Sequence, residues 1–183
     1  MTKLIPINDH LAWHTLPWPA FQADSLQLPK MAIQPVCALL ANKPDQPLNF
    51  AEQSLWQSLN HALHEIDVAA GGIRILPAFR HVPNIVPGVA FGTSLPNASR
   101  TIMEIAQSVH RSNVAKIAFV HSNSALGDWL DTIARELRIQ TDMQVFNLFL
   151  DPDAQSSQPS LANILREALN FPPITPYTPE AQS

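Results

Sequence analysis

The residues best equipped for chemistry gather at His121-Ser122-Asn123-Ser124-Ala125, with Asp128 close behind. An imidazole, two hydroxyls and a carboxylate are the ingredients of nucleophilic acyl transfer. The members of such a triad normally come from separate segments, however, and are recognised by geometry rather than by adjacency. The Gly-x-Ser-x-Gly turn that exposes a nucleophilic serine between strand and helix is missing. Ser122 and Ser124 stand just before a helical pattern, where a hydroxyl is expected to cap the helix N-terminus. His121, Ser122 and Ser124 are thus the candidates for a metal-independent hydrolytic site, and helix capping is the simpler reading of the serines.

Other groups are excluded more easily. His61, His64 and Glu65 share a helix, but Leu55, Leu59, Ala62, Leu63 and Ile66 form its apolar sector and the two histidines point away from it, toward solvent. The order His-x-x-His-Glu is also not that of a zinc protease. His10 and His14 have an i, i+4 spacing, but nearby prolines work against a helix and no acid accompanies them at that spacing. Gly88-Val89-Ala90-Phe91-Gly92-Thr93-Ser94 lacks the lysine and the spacing of a phosphate loop.

The elements that position these residues alternate between strand and helix. Met31 to Leu40 is a near-continuous apolar run, with the strand expected after Pro35. Asn49 with Glu52 reads as a capping box opening a helix that runs to about Ile66. Gly71-Gly72 precedes a strand at Ile73 to Leu76, and a loop rich in Pro and Gly covers residues 77–97. A helix follows over Ala98 to His110, a strand over Lys116 to Val120 and a helix over Leu126 to Arg138. A strand at Gln144 to Leu150 and a short helix at Leu161 to Ala168 complete the series. No hairpin signal interrupts it, which predicts a three-layer α/β/α domain with a mostly parallel central sheet. The single domain is expected to span residues 1–170, and the proline-rich tail 171–183 to be extended or disordered. Residues 1–30 are irregular, and their Trp13, Leu16, Trp18 and Phe21 are expected to cover a domain edge or meet another subunit.

Composition narrows the function. With 183 residues, 46% of them hydrophobic, the chain can bury a sizeable core. A net charge of -4 without a basic run argues against nucleic-acid and membrane-surface partners. The lone Cys37 rules out an intramolecular disulfide framework. Nothing near Met1 reads as a signal peptide, and a cytoplasmic protein is expected.

The segment order resembles the creatininase family of metal-dependent amidohydrolases. The likeness is strongest where that family has a hydrophobic strand, Asn-Gly-His-Gly-Gly-Asn (or a variant with Glu two residues after the His), and a helix ending near Ala-Arg-Glu-Leu-Arg. This chain has Ile117-Ala118-Phe119-Val120, then His121 to Leu126, then Ala134-Arg135-Glu136-Leu137-Arg138. Gln34 to Ala51 is similar, without a gap, to the family's early motif Leu-Pro-Val-Gly-Ser-x-Glu-x-His-Gly-Pro-His-Leu-Pro-Leu-Gly-Thr-Asp. Thr15 to Pro19, Leu76-Pro77 and Pro87-Gly88 resemble further family segments.

The resemblance implies two divalent metals held by carboxylates and histidines, which activate a water for attack on an amide. It also implies that the ligands are replaced here. The early Glu, His and Asp positions fall on Leu40, Asn42 and Ala51, and the later His and Glu positions on Asn123 and Ala125. Expected, then, are no cofactor, no metal, and a non-catalytic binding protein or subunit, forming a homo-oligomer or a hetero-oligomer with a full-length relative. The alternative is a hydrolase with a relocated, metal-independent site around His121, Ser122 and Ser124. No small-molecule ligand can be named from the sequence.

Overall fold

The computed structural model describes residues 11–15, 29–40, 45–66, 72–151 and 160–172. Trp18, Phe21, Leu16, His10, Asn42, Gly71 and the tail 173–183 lie outside them. Four strands, β1 (Met31–Pro35), β2 (Ile73–Ile75), β3 (Lys116–His121) and β4 (Gln144–Phe149), form one sheet in the order β2-β1-β3-β4. Every pairing is parallel. The helices are α1 (Phe50–Glu65), α2 (Leu95–Arg111), α3 (Gly127–Gln140) and α4 (Leu161–Asn170). Apart from β1, each predicted element is present with ends that move by at most three residues; none of these helices is long and apolar enough to cross a membrane.

The topology explains why the strands are apolar on both faces. Right-handed crossovers place a helix on opposite faces according to the direction in which the chain steps across the sheet. From β1 to β2 the chain steps one way, and from β2 past β1 to β3 and β4 it steps the other. Ala32, Ile117 and Phe119 accordingly point into one core with Ile102 of α2 and Leu130 of α3. Met31, Ile33, Ala118 and Val120 point into a second core with Leu59 of α1 and Leu165 of α4. The direction reverses between β1 and β3, and their carboxyl ends are where an open α/β sheet offers a crevice.

One strand lies on the other side of its proline from the expectation: β1 precedes Pro35. Successive bonds show why the proline is tolerated. Ile33 O accepts from Leu76 N–H (2.8 Å), Pro35 O from Phe79 N–H (2.8 Å), and Cys37 N–H donates to Phe79 O (2.9 Å). Odd-numbered residues thus face β2, and the N–H that Pro35 lacks would point beyond Ile75, where β2 has already ended. Buried Gln34 closes the gap by donating through Nε2 to Pro77 O at 2.7 Å.

The outer edge of β2 is also covered. Ala12 bridges to Ile75, Ile75 N–H donates to Leu11 O (2.8 Å), and Trp13 packs against the first core. Trp13 therefore serves as an intramolecular cover. At the opposite end of the chain, Lys116 holds α4. Its Nζ donates to the oxygens of Ala168 (3.2 Å), Leu169 (2.7 Å) and Phe171 (2.6 Å), satisfying the carbonyls that a helix C-terminus leaves unpaired. Phe171 also meets Phe146 edge-on.

Replacing Lys116 with Met should cost about 2 kcal/mol in urea denaturation, the scale of buried hydrogen bonds to a charged donor. Limited proteolysis should then cut first on either side of α4. An unchanged midpoint and cleavage pattern would show that α4 docks without this ammonium.

Candidate functional site

The carboxyl ends of the strands carry two polar clusters. The first surrounds His121, the last residue of β3, which is fully buried. Its Nδ1 lies 2.8 Å from the backbone oxygen of Asn123 and so carries the proton. The ring lies tilted against Phe149, with centroids 5.4 Å apart. Nε2 is buried without a hydrogen-bond partner among the described residues. The Asn147 side chain approaches the ring, and it donates through Nδ2 to Asp131 Oδ1 (2.9 Å) and to Gly127 O (3.2 Å). Burial pushes the His121 pKa below its ordinary value; Asn123, Asn147 and Asp131 oppose that shift without cancelling it.

This arrangement does not assemble the Ser-His-Asp set. No hydrogen bond joins His121 to Ser122 or Ser124, and Ser124 and Asp128 are exposed. The serines do not cap the helix either. Asn123 is the cap: its Oδ1 accepts from Ala125 N–H at 2.9 Å and opens the short 3-10 turn Ser124–Leu126 that leads into α3. The carboxamide outcompetes the hydroxyls because it reaches the N–H two residues on in an Asx-type turn.

The second cluster joins the loops after β1 and β2. Glu52, in the first turn of α1, is a buried carboxylate. Arg80 donates to it through both arms of the guanidinium, Nε to Oε2 at 2.8 Å and Nη2 to Oε1 at 2.7 Å. Trp56 Nε1 adds a third donor to Oε1 at 3.3 Å. The carboxylate also lies at the N-terminal end of a helix, where the peptide dipoles favour negative charge. The bond to Glu52 raises the Arg80 pKa above its ordinary value. Cys37, buried just beyond β1, has its thiol pushed up by burial and by the Glu52 carboxylate, which keeps it protonated and unreactive at neutral pH.

The capping box expected at Asn49 and Glu52 is therefore absent. Asn49 makes no side-chain cap, its Oδ1 accepting instead from Gln53 Nε2 (3.4 Å), and Glu52 turns inward to Arg80. The helical wheel held the signal: Glu52 precedes Leu59 by seven residues, about two turns, and so lies on the buried stripe. A carboxylate on that stripe requires a partner. His61 and His64 are exposed, and His61 Nε2 meets Glu65 Oε1 at 3.0 Å on the surface.

The positions that the resemblance assigns to metal ligands are dispersed in their roles. Leu40 is part of the first core, Ala51 is half-buried at the start of α1, Asn123 is the cap described above, and Ala125 is exposed. Among the described residues, no three His, Cys, Asp or Glu side chains converge as a metal-binding group. Two described clefts lie elsewhere. One of about 370 Å³ borders Trp13, Leu76 and Ile105 outside β2. Another, of about 430 Å³, lies at the amino ends of β3 and β4 between Arg111 and Asp142.

No protein-family model matches the chain, and no curated protein matches it in sequence. Solved structures do match in fold. A mutant creatininase complexed with creatine superposes with a TM-score of 0.55 at 16% identity, over 77% of this chain and 57% of that one. A tryptophan-to-phenylalanine mutant creatininase gives 0.56 at 18%, over 78% and 61%. A creatinine amidohydrolase (creatininase) gives 0.54 at 17%, over 77% and 57%. The chain thus spans less than two thirds of the length of these proteins.

The His121 environment predicts a pH dependence. A histidine whose pKa is depressed by folding stays neutral in the native state while the unfolded chain takes up a proton. Its contribution is intact above the ordinary value of about 6.5 and is lost as pH falls below it, by at most roughly 1.4 kcal/mol per pH unit. Urea denaturation at pH 7.5 and 5.5 should show this loss, and His121→Gln should remove that part of it. Equal losses in both proteins would assign the acid sensitivity to other groups.

Proposed function

We propose that this chain, built on a creatininase-like fold, acts as a non-catalytic binding or oligomer subunit. The observation that carries the reading is the use made of Glu52. The buried carboxylate at the carboxyl end of the sheet accepts from both arms of Arg80 and from Trp56. The guanidinium neutralises that carboxylate, and the bidentate bond engages both of its oxygens.

The other residues do not fit a pair of metals. Leu40, Ala51 and Ala125 offer no donor atoms, and Asn123 spends its Oδ1 on Ala125 N–H. Asn42 is outside the described residues. Neutral and apolar groups in these places remove the repulsion that clustered carboxylates would bring without metal. A protein so changed keeps its scaffold and can still assemble, either with itself or with a full-length relative.

Purified protein should carry no stoichiometric zinc or manganese by elemental analysis, and its thermal midpoint should stay within about 1 °C when chelator is added, since no metal binds the native state preferentially. Two metals per chain would refute the proposal. An activity-based serine probe that labels Ser122 or Ser124, with the label lost on alanine substitution, would refute it in favour of the metal-independent hydrolase.

A further inference from the structure

Histidine aside, the acidic and basic side chains buried among the described residues are Glu52, Lys116 and Arg74. A charge taken out of water has to be paired or held by several hydrogen bonds. Glu52 has the fork of Arg80 and the indole of Trp56, and Lys116 has three carbonyl oxygens. Arg74, only 8% exposed, has neither kind of support. Its one hydrogen bond runs from Nη1 to the oxygen of the adjacent Ile73, at 3.2 Å. No described carboxylate forms an ion pair with it. Most N–H groups of the guanidinium are thus left without a described acceptor. Burial lowers the Arg74 pKa and no described acid opposes that shift, yet a guanidinium keeps its charge at any physiological pH.

The position of this charge follows from the strand. Ile73 and Ile75 point into the second core, so Arg74 between them projects from the opposite face of β2. Ile75 N–H donates to Leu11 O (2.8 Å), on the side of β2 away from β1, and the N–H and C=O of Ile73 point to that same outer edge. The guanidinium, bonded to Ile73 O, therefore lies at the edge. Beside it is the Ile73 N–H, which also meets no described acceptor. Leu76, the next residue on the Arg74 face, lines the cleft of about 370 Å³ that Trp13 and Ile105 border, so this face of β2 is open to small molecules.

We propose that the Arg74 guanidinium and the Ile73 N–H form a binding site for an oxyanion, the carboxylate or phosphate group of a free small molecule. The planar fork of a guanidinium matches either group with two parallel N–H bonds, and the neighbouring backbone N–H adds a third donor. The anion supplies the counter-charge that the described residues withhold. Packing alone does not call for arginine here, since an apolar side chain in the same place carries no desolvation cost. The site lies within β2, away from the Glu52–Arg80 pair at the carboxyl end of the sheet, and it does not depend on the reading of the chain as a subunit.

Thermal unfolding of the full chain in rising inorganic phosphate, and separately in acetate, tests the proposal, with ionic strength held constant by chloride. The midpoint should climb and saturate with at least one of the two anions, by about 3–6 °C at ten times the dissociation constant. The side-chain Nε–H resonance of Arg74 should shift along the same titration. Arg74→Gln should abolish the climb. Should that variant fold poorly by circular dichroism, Arg74→Lys keeps the charge without the fork and should bind at least about tenfold more weakly. No response to either anion beyond that to chloride, or an equal response in the variants, would overturn the proposal. So would a stability coupling between Arg74→Gln and Asp9→Asn in chloride alone. The arginine would then already have its counter-charge in an acid of this chain, one outside the described residues.

Discussion

The carboxyl end of this sheet depends on one ion pair. Glu52 is buried by the same helical periodicity that buries Leu55 and Leu59, and a carboxylate withdrawn from water must be paired or neutralised. Arg80 meets that requirement with a fork that matches the carboxylate, and Trp56 completes it. The cost of desolvation is moderated because the guanidinium stays half in solvent, with its side chain 52% exposed. In consequence the loop after β1 and the loop after β2 are fixed to each other. The Cys37 thiol is held neutral beneath them.

A fold can be kept while its chemistry is replaced, because the two draw on different residues. The sheet and its two cores need apolar positions on both faces, which Ile33, Ala118, Phe119 and Val120 supply regardless of what the loops carry. The loops at the carboxyl ends are anchored in the cores by apolar residues such as Leu40, Phe79, Val82 and Val86, while their polar positions can exchange ligand atoms for capping and pairing groups. That separation is consistent with a creatininase-like architecture shared with solved structures at only 12–18% identity.

How much was legible in the sequence followed the same division. Long apolar periodicities are local and strong, so α2, α3, β3 and β4 were evident, and the strand–helix alternation led directly to a parallel sheet. Pro35 misled because its effect depends on which neighbour the missing N–H would face, a matter of topology. Glu52 misled because the capping box and the buried pair make the same demand on local sequence, an acid three residues after Asn49. Arg80, 28 residues further on, decides between them. Asn123 was hidden among serines that are equally good caps on average, and only the turn geometry selects it. His121, a candidate from the sequence for a hydrolytic site, has its ring committed to Asn123 O and Phe149 instead of to a serine.

The most direct measurement is a double-mutant cycle between Glu52→Gln and Arg80→Gln, followed by urea denaturation with and without added manganese. A half-exposed but bidentate pair should show a coupling of about 1–3 kcal/mol, unchanged by the metal, because the carboxylate is already engaged. A coupling below about 0.3 kcal/mol, or one that disappears when manganese is added, would contradict the account. Glu52 would then be a carboxylate still available as a metal ligand.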